Sequence, residues 1–141
     1  MNIYFACSIT GGRHFEAVYQ AFVHALLNDG HEVPTAYLAE TNVMALEKIV
    51  SAQEVYERDT AWLRACDALV AEVSVPSHGV GYEIGFALQG GKPVLCLAQQ
   101  GLPVSKMISG NSDPHLWMRT YTTIEEGIEI IRKFLANALT L

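Results

Sequence analysis

The sequence predicts a single α/β domain spanning residues 1–141, a flavodoxin-like or Rossmann-like three-layer sandwich with a five-stranded parallel sheet. Three observations carry this. Short apolar runs alternate along the chain with segments whose apolar residues recur at helical spacing. The apolar runs are nearly continuous rather than alternating, the pattern of strands covered on both faces. Charged residues make up only 17% of the chain, below the roughly 25% usual for soluble domains. That shortfall is consistent with a doubly covered sheet and with surface committed to a subunit interface.

The first strand is NIYFACSI, which stops at Thr10-Gly11-Gly12. From Arg13 the period changes, and Phe15, Val18, Tyr19, Phe22, Val23, Leu26 and Leu27 mark a helix that Asp29-Gly30 ends. A short strand is expected around His31 to Tyr37, with Pro34 favouring a sheet edge. Residues from about Asn42 to Cys66 read as helix with a break near Ser51. DALVAEVS is the next strand, bounded by Pro76-Ser77-His78-Gly79, and a helix from about Gly81 to Leu88 follows. Pro93 to Ala98 and Leu116 to Tyr121 complete the predicted sheet, and a helix from Thr123, its cap, to Leu139 closes the chain.

Composition narrows the function classes. The net charge is −6, and the Lys and Arg residues are scattered singly, so no nucleic-acid-binding face is expected. No apolar run is long enough to span a bilayer, and none at the start reads as a signal peptide. Cys7, Cys66 and Cys96 form no CxxC pair and read as reduced, buried thiols of a cytoplasmic protein. The five histidines show no metal-ligand spacing, so neither a metal nor another cofactor is expected.

In parallel α/β sheets, ligands bind beyond the carboxyl ends of the strands. That places three loops at the site: Ser8–Arg13, Ser74–Gly81 and Gln99–Asn111. In the first, Ser8, Ile9, Thr10, Gly11, Gly12 and Arg13 lead into a helix N-terminus, where close backbone approach and the helix dipole favour an anion. In the second, Ser77, Gly79 and Gly81 precede Glu83, an acid expected in the first or second helical turn, where helix N–H groups would keep it ionised. A positioned carboxylate there can attack an anomeric carbon, or merely complement the dipole. Asp59 shares a helical face with Val55, Tyr56, Trp62 and Leu63, so it is either paired with Arg58 or Arg64 or functional. Tyr4 lies mid-strand, as core filler or with its hydroxyl reaching a carboxylate at the strand end.

Taken together, IYFACSITGGR, ERDTAWLRACDALVAEVSVPSHGVGYEIGFAL, KPVLCL and VSKMISGN resemble the nucleoside 2-deoxyribosyltransferase superfamily, and within it the 2'-deoxynucleoside 5'-monophosphate N-hydrolase branch. The middle block is the specific part, with a 24-residue step from Asp59 to Glu83. The resemblance implies that Glu83 is the nucleophile and Tyr4 its orienting hydrogen-bond donor. It implies that Asp59 is the acid that assists base departure and later activates water. It also implies a homodimer, or a dimer of dimers, in which Ser105 and Met107 complete the neighbouring site.

Two positions separate the branches. Transferases acting on free nucleosides carry Asp six residues before the nucleophile, where this chain has Ser77, and Asn two before the methionine, where it has Ser105. A hydroxyl donates to a phosphate that a carboxylate would repel, so Ser8, Ser77 and Ser105 read as a phosphate cradle. Cys7 and Thr10 replace the Gly and Arg of vertebrate members, which removes one bidentate phosphate partner. The expected reaction is hydrolysis of a deoxynucleoside monophosphate through a glycosyl-Glu83 intermediate. A base-exchanging transferase, a CMP-type ribonucleotide N-glycosidase and a non-catalytic nucleotide sensor are the rival readings.

Overall fold

The computed structural model describes residues 1–138 and 140. Strands β1 (Ile3–Ala6), β2 (Ala68–Glu72), β3 (Val94–Gln99) and β4 (Leu116–Tyr121) form one parallel sheet in the order β1-β2-β3-β4. The register sets Tyr4 beside Leu69 and Ala71 beside Cys96. Every residue of β1 and β2 is buried, which explains their apolar sequence. The exception to that apolar run is Glu72 at the end of β2, whose carboxylate accepts from the Tyr121 hydroxyl at 3.0 Å and from the Ser74 N–H at 3.2 Å.

Helices cover both faces. Ile3, Phe5, Val70, Leu95 and Leu97 point to one layer, packed by α1 (Glu16–Asn28) and α6 (Ile124–Ala138) through Tyr19, Phe22, Leu26, Ile131 and Phe134. Tyr4, Ala6, Leu69, Ala71 and Cys96 point to the other, against Leu63 of α3 (Ala52–Ala65) and Val80, Ile84 and Ala87 of α4 (His78–Gln89). The alternation follows from the two-residue period of a strand. Two short helices, α2 (Val43–Lys48) and α5 (Lys106–Ser109), lie in the connections before α3 and after β3. Ser51 breaks the long helical segment with a capping box, accepting from the Glu54 N–H while Glu54 reaches back to the Ser51 N–H. The predicted end of the closing helix at Leu139 lies outside the described residues.

The sheet has four strands rather than the predicted five. The segment expected as a strand from His31 to Tyr37 makes only one bridge, Asn2 to Glu32, and then a single 3-10 turn at Ala36–Ala39. Pro34 lacks an N–H for a ladder, and Thr35 takes over the pairing with its side chain. Its hydroxyl accepts from the Phe5 N–H at 2.9 Å and donates to the Phe5 carbonyl at 2.7 Å. The edge of β1 is thus satisfied without a neighbouring strand. Because β2 lies on the other side of β1 from Glu32, the chain reverses its direction of winding at β1, and the loops after β1 and β2 diverge. Among the described residues, no helix is long and apolar enough to cross a membrane, and no cluster of three or more His, Cys, Asp or Glu is placed to hold a metal.

Candidate active site

The helix carrying Glu83 begins earlier than its sequence predicts. Ser77 is extended and accepts from the Val80 N–H at 3.3 Å, so α4 starts at His78, and Gly79 and Gly81 lie within its first turns. Glu83 therefore sits in the second turn, on the side of α4 facing β1. The Tyr4 hydroxyl, fully buried beneath it, donates to Glu83 Oε1 at 2.8 Å.

Burial dominates the ionisation of Glu83 and raises its pKa from 4.5 to about 7; the Tyr4 hydrogen bond pulls it down, and the charge of Asp59 pushes it up. This corrects the expectation that helix N–H groups keep Glu83 ionised. The dipole acts within the first turn, and Glu83 lies beyond it. Tyr4 is raised far above the ordinary phenol range, first by burial and then by the Glu83 charge, so it stays a donor.

Asp59 projects from α3 toward the same two residues. Arg58 Nε donates to its Oδ1 at 2.8 Å, and Arg58 Nη2 reaches Glu47 of α2 at 3.4 Å. The guanidinium lies over the rings of Tyr37 and Trp62, 5.3 and 5.1 Å from their centroids. Burial raises the pKa of Asp59, while the Arg58 hydrogen bond and charge oppose the rise.

The β1–α1 loop is held tightly. Ser8 is fully buried and its Oγ accepts from the Gly11 N–H at 3.1 Å. A Cβ at Gly11 would stand 2.5 Å from Ser8 Oγ and 2.6 Å from Val75 Cγ1, so only glycine allows this approach. Gly12 adopts a positive φ of 99°. Ile9 is partly buried against the core. Arg13 bonds Glu16 and the carbonyls of Ser8, Leu38 and Glu40, so its donors are spent within the protein rather than offered to an anion.

Thr10, Ser77, Ser105 and Met107 line a cavity of about 920 Å³ between α4 and α5. Gly81, Ile84, Gly85 and Leu88 form the α4 wall. At about 100° per residue Gly81, Gly85 and Leu88 lie on the opposite side of the helix from Glu83, and Ile84 lies between the two sides, packed in the cluster that holds Tyr4. The predicted site residues thus divide into two groups. Tyr4, Asp59 and Glu83 gather on one side of α4, and the hydroxyl residues gather on the other, joined by the N-terminus of that helix. Ser77 and Ser105 each accept a backbone N–H, from Val80 and Met107, which leaves their own protons available to a ligand.

One residue escapes the sequence reading, and another is read there only as a candidate ion-pair partner of Asp59, a pairing the structure shows. Lys106 is the one Lys or Arg lining the cavity, and its only signal is a lone cation beside Ser105. Arg58 stands next to Asp59 in sequence, where it reads as an ordinary ion-pair candidate; its aromatic seat and its bond to Glu47 arise from tertiary packing.

A parallel α/β sheet with a tyrosine-bound glutamate beside its carboxyl ends, and a second acid from a neighbouring helix, has the parts of a glycosyl-handling site. The chain belongs to the nucleoside 2-deoxyribosyltransferase family, whose model matches residues 3–126. A Methanosarcina mazei protein, provisionally named 2'-deoxynucleoside 5'-phosphate N-hydrolase 1, is 41% identical over 134 residues, covering 95% of this chain and 83% of that protein. The mouse 5-hydroxymethyl-dUMP N-hydrolase is 44% identical over 116 residues, covering 79% of this chain and 66% of that protein. Among solved structures, the CMP N-glycosidase of Clostridium botulinum superposes with a TM-score of 0.73 at 19% identity, covering 95% of this chain and 99% of that one. That likeness defines the fold.

Proposed function

We propose that this protein hydrolyses the N-glycosidic bond of 2'-deoxynucleoside 5'-monophosphates, releasing the free base and 2-deoxyribose 5-phosphate. The observation that carries the reading is the 2.8 Å bond from Tyr4 to Glu83 with Asp59 alongside, in a chain about 40% identical to proteins named for this class of reaction. Glu83, once ionised, attacks C1' as the base departs, and Tyr4 fixes the attacking oxygen. Asp59 faces the departing base and then assists water in opening the glycosyl-Glu83 ester.

The 5'-phosphate is assigned to the end of the cavity where Ser77, Thr10 and the N-terminus of α4 meet. The available hydroxyl proton of Ser77 supports this assignment, and Ser105, whose proton is likewise free, is proposed to reach the phosphate from the neighbouring protomer together with Lys106. Lys106 supplies the charge that Thr10 lacks. Ser8 and Gly11 shape the adjoining loop. The protein is further proposed to work as a homodimer, with Ser105 and Met107 reaching the neighbouring site. Met107 is 85% exposed, an unusual place for a methionine at a cavity rim. Three free, buried cysteines support a reducing, cytoplasmic setting.

The test is base release from nucleosides and their 5'-monophosphates, ribo and deoxy, with and without an acceptor base. Release from deoxynucleoside monophosphates in plain buffer is the expected result. Activity confined to free deoxynucleosides in the presence of an acceptor base would replace hydrolysis with transfer.

A further inference from the structure

The two site carboxylates are treated unequally. Asp59 has a guanidinium on its Oδ1 at 2.8 Å, whereas Glu83 has only a neutral phenol, and among the described residues no cation pairs with it. Arg58 is itself held in place. Its Nη2 is tethered to Glu47, and its plane lies over Tyr37 and Trp62, themselves 6.4 Å apart between ring centroids. With the nucleophilic role of Glu83 taken from the reading above, this asymmetry bears on the order of proton transfers.

We propose that Arg58 is a positioning residue that makes Asp59, rather than Glu83, the resting anion of the carboxylate pair, and so primes Asp59 to take a proton from water when the glycosyl-Glu83 ester is hydrolysed. In the first half of the reaction, Glu83 gives its proton to solvent and attacks C1'. The C1'–N bond breaks, its electron pair leaves on the base nitrogen, and the base collects its proton from solvent rather than from Asp59, which departs from the acid role that the family resemblance implies for that residue. In the second half, a water oxygen bonds to C1' while Asp59 accepts the water proton. The C1'–O bond to Glu83 breaks, and Glu83 leaves as a carboxylate. Asp59 then returns its proton to solvent, a step that the adjacent guanidinium favours.

The groups facing this pair are few. Arg58 comes from α3, Glu47 from α2, Tyr37 from the 3-10 turn, Tyr4 from β1 and Glu83 from α4. Glu47 opposes an anionic Asp59, and Arg58 is the one cation among them. Burial favours the neutral form of both carboxyls. Without Arg58, nothing charged on the neighbouring elements would favour the Asp59 anion.

The experiment compares the wild-type protein with Arg58→Gln and Arg58→Lys. In substrate-free protein, the Asp59 carboxyl is titrated by carbon NMR. Its midpoint is expected to rise by about one pH unit or more in Arg58→Gln and to return part of the way in Arg58→Lys. With a deoxynucleoside monophosphate, Arg58→Gln is expected to show a burst of base release near pH 6 followed by slow turnover, which recovers as the pH is raised and Asp59 ionises. An unchanged Asp59 midpoint overturns the proposal, as does a pH profile that is only scaled down without a burst. Because the titration uses free protein, its outcome does not depend on whether Glu83 is the nucleophile, which substitution of Glu83 tests separately.

Discussion

The Tyr4 hydroxyl donates a 2.8 Å hydrogen bond to Glu83 Oε1 across 79 positions of sequence, tying the first strand to the helix that follows the second. This bond is what lets a partly buried glutamate ionise near neutrality, because it is the main influence opposing burial. Tyr4→Phe removes the donor while keeping the ring that packs the core. The activity limb controlled by Glu83 is then expected to move above pH 7, with kcat/KM reduced roughly ten- to a hundredfold at pH 6 and less at pH 8. A pH–rate profile of the variant checks both the direction and the narrowing.

Glu83 also links stability to pH. Its folded-state pKa of about 7 lies above the ordinary glutamate value of 4.5, so between those values the folded protein holds a proton the unfolded chain has released. Stability is therefore expected to fall as pH rises through that window, by about 3 kcal/mol from this group. Glu83→Gln keeps an acceptor for Tyr4 and carries no charge. It should be inactive, as stable as the wild type at pH 4, and more stable at pH 8. Urea midpoints at the two pH values measure the difference.

The cavity predicts a separation of substrate effects. Lys106→Ala and Ser77→Ala are expected to raise KM for deoxynucleoside monophosphates about tenfold, and to change turnover of the corresponding free deoxynucleosides far less. Ser77→Ala should also lower stability by about 1 kcal/mol through loss of the α4 cap, and Lys106→Ala should not. Steady-state kinetics on the paired substrates, with thermal melts of both variants, resolve the two effects.

Thr35 stands in for a strand, and its removal should show it. Thr35→Ala leaves the Phe5 N–H without a partner in a fully buried strand, at roughly 2–4 kcal/mol. Thr35→Ser keeps the hydroxyl and should recover most of the loss. Denaturant midpoints with an unchanged slope would place the effect in the folded state.

Much of this architecture is legible in the sequence because buried strands leave nearly continuous apolar runs. Such runs mark β1, β2 and β3, and the period change at Arg13 marks the first helix. The stretch from His31 to Tyr37 misleads because Val33 and Pro34 look like an edge strand, while the hydroxyl that replaces its ladder looks like any other threonine. The start of α4 is misplaced because glycines at 79 and 81 suggest a loop, whereas Ser77 caps a helix that tolerates both. The meeting of Tyr4 with Glu83 is legible only through the family resemblance, because the strand pattern alone leaves Tyr4 either as core filler or as a donor to a carboxylate. The position of the serines away from Glu83 across α4, and the seating of Arg58 against the Tyr37–Trp62 pair, depend on how neighbouring elements pack, and no local pattern encodes that.

The central claim is that Glu83 bonds covalently to the sugar, and its most direct test is rapid acid quench of the protein with a deoxynucleoside monophosphate, followed by mass spectrometry of its peptides. The account predicts a deoxyribose 5-phosphate adduct on the peptide containing Glu83, together with loss of both adduct and turnover in Glu83→Ala. Wild-type turnover without any adduct, joined to an active Glu83→Ala variant, would contradict it.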